Sequence, residues 1–483
     1  MTLESGAMNS AFILKNALLR GGALLALLWA VACSPIEGPP TLEPAEGSSS
    51  GYYPVLATLP TTVDPTQILE VRVGDVRAYS VTLEADDRLR FFVQGSPAPG
   101  PADVVLLTRA GAITLDAPFT YLPPVGGADG PLARPAAFGA SLTQGVQNGV
   151  PTHRSITVGP AAQLARAMGA WMPLPLLVPD LLPEMRPQDI GPPPDCAAPG
   201  VRGFVSDAAS GIIGTLVDPF TGEFAFGLGR VDPELAPHNV AVGGFRIGDT
   251  LRGPDPDGFD LNFFGHLVLE PDATLAAPME VDQITLLEAI EPTLIVTTDL
   301  YGNDVVNSIL DAQIDLDALT PIEDVQRDLE EILARLSATG AEVFVSDLPR
   351  PSILPASAPL AGPDLDAVDA HAAALDALLH ATAAEYDNVH VVLGHDRTEE
   401  LVADGVDVAG HHLTAERFRG LLSMDGLHFS DTGYALTAQL FADAINDVLG
   451  TDIPPIGLAP IVAADPSSID AVVAAGIDPE ACD

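Results

Sequence analysis

The sequence predicts an α/β protein: a three-layer α/β/α domain around a five-stranded parallel sheet, preceded by a small β-sandwich. Two observations carry this. From about Pro135 to Gly450 short apolar strand-like runs alternate with helix-like segments, the pattern of βαβ units. Ahead of them, between Tyr52 and Pro124, short strand-like runs recur with turn signals and no helical period.

The five parallel strands are expected at Pro135–Phe138, Asn239–Val242, Thr293–Thr298, Glu342–Ser346 and Val389–Val392. Each is a short apolar run of the kind that a sheet covered on both faces requires. Helical periodicity is clearest in IEDVQRDLEEILARLSATG, ending at Gly340, and in DTGYALTAQLFADAINDVLG, with an N-cap at Asp431 or Thr432 and a stop at Gly450. A Pro-rich insertion from Trp171 to Leu235 is expected to border a functional site and to select its substrate.

In the N-terminal part the runs ILEVRV, AYSVTL, RLRFFV, ADVVLLT and AITL are separated by Gly-Asp, Ala-Asp-Asp and Gly-Ser-Pro turn signals. The stretch closing with PFTYLPP at Pro118–Pro124 resembles an immunoglobulin-like IPT/TIG domain over residues 52–124. Residues 125–133, rich in glycine, read as a linker to a domain over 134–450, and 451–483 as a C-terminal tail.

The first 33 residues read as a signal peptide: Lys15 and Arg20, then the apolar run Gly21–Ala32, then Cys33. The run is too short to span a bilayer. Ala30-Val31-Ala32-Cys33 resembles a bacterial lipobox, with Ala30 where leucine is usual, and implies lipidation of Cys33; an ordinary secretory signal is the alternative. Ser34 after it resembles outer-membrane sorting, so the expectation is an exported, cell-envelope lipoprotein held on a membrane by its N-terminal lipid anchor, or else a secreted protein. SPIEGPPTLEPAEGSSSG, residues 34–51, has too few apolar residues to build a core and is expected to be a flexible tether. Cys196 and Cys482 then remain, as a disulfide or as two thiols.

The 483 residues carry a net charge of −45, and Lys15 is the only lysine, which excludes a phosphate-neutralising surface and with it nucleic-acid binding. GPDPDGFDLN offers oxygen ligands at Asp255, Asp257, Asp260 and Asn262 but lacks the spacing and terminal glutamate of an EF-hand, so it reads as a solvated acidic loop, and no metal or cofactor is expected.

AAFGASLTQG places Ser141 directly after a short apolar strand, at the carboxyl end where open α/β sheets present functional groups. In MDGLHFSDTGYALTA, Asp425 and His428 lie three residues apart, close enough for the carboxylate to orient the imidazole. Taken singly each has an ordinary explanation: a serine N-cap, a turn, or a core histidine, as for His153, His411 and His412.

Four ordered blocks, FGASLTQG, HNVAVGGF, DLYGNDV and DGLHFSDTGYALTA, resemble those of the SGNH (GDSL) serine hydrolases, whose fold is flavodoxin-like. The resemblance implies Ser141 as nucleophile, His428 as base and then acid, Asp425 as orienting carboxylate, and an oxyanion hole from the Ser141 and Gly244 N–H groups and the Asn303 amide. It implies cleavage of carboxylic esters, whether of acylated lipid, carbohydrate or small molecule, through an acyl-enzyme and without a metal. Two positions depart from the pattern: Ala140 stands where aspartate usually precedes the serine, and Tyr301 where glycine is expected, with Gly302 one place later. The rival expectation is a catalytically silent cell-surface binding or adhesion protein.

Overall fold

The computed structural model describes residues 40–482 except 86, 186, 188–211, 218–223, 255–258, 274–278 and 311–312. The signal segment, Cys33, Cys196, Asp255 and Asp257 lie outside the described residues, as do the side chains of Asp260, Asn262 and Cys482.

Residues 41–122 form eleven short strands: β1 (Thr41–Glu43), β2 (Glu46–Ser48), β3 (Tyr53–Thr58), β4 (Ile68–Val73), β5 (Val76–Arg77), β6 (Tyr79–Ala85), β7 (Arg88–Val93), β8 (Gly100–Ala102), β9 (Val104–Thr108), β10 (Gly111–Thr114) and β11 (Phe119–Leu122). They make three sheets, in the orders β1-β3-β7-β6, β10-β9-β4-β5 and β2-β11-β8. Alternation builds the core between them: Val71 and Val73 of β4, Phe91 and Val93 of β7 and Phe119 and Tyr121 of β11 point inward, while their neighbours face out or sit at the margin. Thr41–Ser48, expected within a flexible tether, is instead strand: β1 pairs with β3 and β2 runs parallel to β11. Leu42 supplies the apolar anchor, and the free sheet edges supply the hydrogen bonds that the segment's composition alone would leave to water.

The second unit is built on β12 (Pro135–Ala137), β13 (Leu294–Thr297), β14 (Glu342–Ser346) and β15 (Val389–Val392), parallel neighbours in that order. Every residue of β12 and β13 is buried, as a sheet covered on both faces demands. The sheet thus has four strands, not the expected five. The segment His238–Val242 does lie along the outer side of β12, through Ala137 N–H to His238 O and Val240 N–H to Ala137 O at 2.8 Å each, but makes only one parallel bridge, Ala137 with Asn239. Pro237 ahead of it has no N–H, the Asn239 side chain takes the Ala241 N–H at 3.2 Å, and Gly243-Gly244 turn the chain away before a ladder extends.

That segment nevertheless reverses the winding of the sheet. The chain leaves β12 in one direction through α1 (Ser141–Gln144), α2 (His153–Val158) and α3 (Pro160–Met168), then crosses back to build β13, β14 and β15 on the other side. With right-handed crossovers, the two directions put their helices on opposite faces. Accordingly α4 (Ile247–Arg252), α6 (Gln283–Ile290), α8 (Ile322–Ala338) and α9 (Pro363–Ala383) pack on one another, and α11 (Asp431–Leu449) packs on α3; the remaining helices are α5 (Phe259–Leu269), α7 (Gly302–Val306), which touches α9, and α10 (Gly394–Asp404). Helix α8 follows the apolar spacing of IEDVQRDLEEILARLSA, burying Val325, Leu329, Ile332, Leu333 and Leu336. The winding reverses beside β12, so its carboxyl end opens into a crevice where a ligand is expected.

The two units share a core. Tyr52 accepts the Leu174 N–H on its hydroxyl at 2.7 Å and packs with Tyr79, whose ring stands edge-on to His153 at 5.3 Å. Much of the described part of the insertion is buried here too: Met172, Leu174, Leu176 and Leu177 join the large core, and Arg230 donates to Leu267 O and Val268 O, the last carbonyls of α5.

The tail forms α12 (Leu458–Ala464) and α13 (Ile469–Ala474) and is docked. Val472 and Ile477 bury against Phe418 and Met424. Between the helices, Asp465 Oδ2 accepts the Thr432 N–H at 2.9 Å and its hydroxyl at 2.7 Å, and so caps the first turn of α11. Burial, and then the charge of Asp431, push the Asp465 carboxyl up to about 6 against the hydrogen bonds from Thr432 and Ser467. In the unfolded chain an aspartate titrates near ~3.9, so the folded protein holds a proton that the unfolded one has lost. The contribution of this group to stability is full below about pH 4 and is lost as pH rises through about 6. The wild type should therefore lose thermal stability relative to Asp465→Asn as pH is raised across that window; calorimetric midpoints that keep a constant difference would contradict the assignment.

Candidate functional site

Ser141 is the first residue of α1, immediately past the carboxyl end of β12. What holds this turn is a carboxylate from the next strand. Asp299, just past β13, accepts the N–H groups of Ala140 at 3.2 Å, Leu142 at 2.6 Å and Thr143 at 3.1 Å, and the Thr143 hydroxyl at 2.7 Å. The only N–H it skips in that run is that of Ser141, which has no partner among the described residues. Burial pushes the Asp299 carboxyl above the ordinary carboxylate range, with the four donors opposing. Sequence reasoning missed this residue; its signal is an aspartate two residues past the wholly buried run ending at Thr297.

The segment His238–Gly244 brings two glycines alongside. Gly243 donates its N–H to Gln144 Oε1 at 2.8 Å, and a methyl group on Gly243 would stand 3.1 Å from Val146 Cγ2 and 3.5 Å from Ser141 Cβ, so the backbone approaches the serine as only glycine comfortably allows. Gly244 has φ +87°, a left-handed conformation, and its N–H has no partner among the described residues.

Asn303 lies on α7, and its Nδ2 donates to Phe245 O at 2.9 Å, tying it to the Gly243-Gly244 turn with one of its two N–H bonds. Asp304 beside it accepts the Ile247 N–H at 2.8 Å, and burial pushes its carboxyl up to about 6 against hydrogen bonds from Thr320 and Ile247. Tyr301, at the position where glycine was expected, does not disturb this turn, because its side chain points into the core and its hydroxyl donates to Asp376 Oδ1 on α9 at 2.7 Å.

The fourth element is the loop between Gly420 and Ser430. Asp425 Oδ2 meets His428 Nδ1 at 2.6 Å, and Asp425 Oδ1 accepts the Ser423 hydroxyl at 2.9 Å, the Leu427 N–H at 2.9 Å and the His428 N–H at 3.0 Å. Burial raises the Asp425 carboxyl, but the His428 imidazole and these N–H groups outweigh it and hold the group below the ordinary range, so it is the ionised partner. Ser430 closes the loop, donating to Gly420 O at 2.7 Å and capping α11 through the Gly433 N–H.

Ser141, Gly244, Asn303 and His428 all line one cavity of about 420 Å³, and Asp425 lies buried behind His428. Beyond these polar groups the walls are mainly apolar, with Val306, Leu310, Leu348, Leu354, Leu427 and Leu440 among them. Among the described residues of the insertion at 171–235 none lines the cavity, contrary to expectation. That segment spends its apolar side chains on the core and on the junction with the sandwich, and the walls come instead from the chain after β13, β14 and β15 and from α11. Among the described residues no group of three or more His, Cys, Asp or Glu could hold a metal ion, and no helix is long and apolar enough to cross a membrane.

A solved structure, of the lipase/acylhydrolase from Enterococcus faecalis, is 16% identical over 45% of this chain and 76% of its own, with a TM-score of 0.26; the fold described above rests on the chain's own topology. No curated protein matches the chain. The family profile described as GDSL-like Lipase/Acylhydrolase matches residues 136–441, from β12 into α11 and spanning every side chain that lines the cavity, and the chain belongs to that family.

Proposed function

We propose that the protein is an exported serine hydrolase that cleaves carboxylic esters with an apolar acyl chain, through Ser141, His428 and Asp425. The observation that carries this reading is the shared cavity, lined by Ser141 and Gly244, whose N–H groups have no partner among the described residues, by Asn303 and by a histidine tied to a buried carboxylate.

In this mechanism His428 Nε2 takes the Ser141 hydroxyl proton as Oγ attacks the ester carbonyl carbon. The carbonyl oxygen becomes an oxyanion, bound by the Ser141 N–H, the Gly244 N–H and the Asn303 N–H not engaged by Phe245. The tetrahedral intermediate expels the alkoxide, which leaves as alcohol with the proton from His428. Water then attacks the acyl-enzyme by the same route, giving the carboxylic acid and restoring the serine. Asp425 keeps Nδ1 protonated and Nε2 free to act as base.

The walls favour an acyl chain over a sugar, since an apolar lining cannot satisfy a row of hydroxyls. Export with lipidation at Cys33, and an IPT/TIG-like identity for the sandwich, belong to the same reading; the lipid anchor would keep the cavity near acylated lipid. Lys15 and Arg20 ahead of the apolar run Gly21–Ala32, and the Ala30-Val31-Ala32-Cys33 sequence, support that placement.

Short-chain p-nitrophenyl esters and fluorophosphonate labelling test the chemistry. Ser141→Ala should lose turnover and labelling together, whereas an inert wild type would overturn the reading. Asp425→Asn should lower kcat by about 10⁴-fold, because the amide favours the wrong tautomer of His428. Asn303→Ala, which removes one oxyanion donor, should lower kcat by about 10²- to 10³-fold with the fold intact. Chain-length profiles test the acyl pocket: Leu354→Trp, which fills part of the cavity, should shift the preference to shorter acyl chains, and an unchanged profile would place the acyl group elsewhere.

A further inference from the structure

Gln144 lies three residues after Ser141, and its side chain is fully buried. Its two ends have different fates. Oε1 accepts the Gly243 N–H at 2.8 Å, which fixes the orientation of the amide and turns Nε2 away from that contact. Nε2 is buried without a hydrogen-bond partner among the described residues, and the side chain lines the same cavity as Ser141, Gly244 and Asn303.

A buried donor without a partner is rare in a folded protein and calls for an explanation. The Gly243 bond explains only the acceptor. Gln144 thus lines the space that a substrate enters, three residues after the serine that would attack it, with its donor unengaged by the described residues.

We propose that Gln144 has two roles in the hydrolase. Its Oε1 is a strut that sets the Gly243-Gly244 turn against the Ser141 turn, and its Nε2 donates a hydrogen bond to an oxygen of the bound ester. The proposal rests on the ester-hydrolase reading above. The second role makes Gln144 a specificity element: the site provides for an oxygen acceptor at this point, and an ester in which that atom cannot accept leaves the donor unpaired, an arrangement that strongly disfavours such analogues. The neutral amide does this without adding charge near His428.

Two variants separate the roles. Gln144→Glu keeps an oxygen for the Gly243 N–H and removes the donor; Gln144→Met keeps the length and removes both. With rates normalised to fluorophosphonate-titrated sites, Gln144→Glu should lower kcat by about 100-fold, the scale of one lost donor, while KM changes far less. Gln144→Met should lose at least as much and, by releasing the Gly243-Gly244 turn, slow fluorophosphonate labelling as well. An active wild type whose two variants keep its kcat at an unchanged thermal midpoint would overturn the proposal and leave the esterase reading standing. An inert wild type would overturn the esterase reading itself, and this proposal with it.

Discussion

The site depends on one buried carboxylate. Asp299 collects three turn N–H donors, of Ala140, Leu142 and Thr143, and the Thr143 hydroxyl, and so fixes Ser141 at the carboxyl end of β12 from the end of the neighbouring strand. Because β12 and β13 are hydrogen-bonded neighbours, this contact passes the rigidity of the sheet directly into the serine turn.

From that turn the rest of the cavity is assembled by short, local ties. Gln144 holds Gly243, Asn303 holds Phe245, and Asp304 holds Ile247, so the segments after β12, after His238–Val242 and after β13 are cross-linked by side chain to backbone bonds. The Asp425–His428 loop is self-contained, closed by Ser423 and Ser430, and is then pinned from outside by the tail, through Val472 and Ile477 on Met424 and through Asp465 on Thr432. Residues beyond the end of the family match thus hold the loop that bears the histidine.

The cavity walls illustrate a division of labour within the fold. Ser141 sits just past a strand end, Asn303 on a short helix and His428 in a loop closed by its own hydrogen bonds, and the apolar walls come largely from other segments. The insertion expected to shape the substrate site is instead structural in its described part, welding the sandwich to the α/β unit through Tyr52, Met172 and Leu174.

What the sequence by itself determined was everything encoded in local pattern. The apolar runs of β12 to β15, the amphipathic stripe of α8, the Gly450 end of α11 and the alternating strands of the sandwich follow from periodicity and caps that neighbours in the chain create, whereas α11 is capped by Ser430 and not by Asp431 or Thr432 as expected. Asp425 and His428 were legible as a pair because three residues separate them, and Ser141 because a strand precedes it. The partners that lie far apart in sequence were decided only by tertiary structure. Asp299 reaches Ala140 across 159 residues, Asp465 reaches Thr432 across 33, and Gln144 meets Gly243 across 99, distances over which no periodicity carries information. The same holds for the missing fifth strand and for the ordered segment at Thr41–Ser48: whether a short run becomes strand depends on the edge available to pair with it, which the chain acquires only on folding.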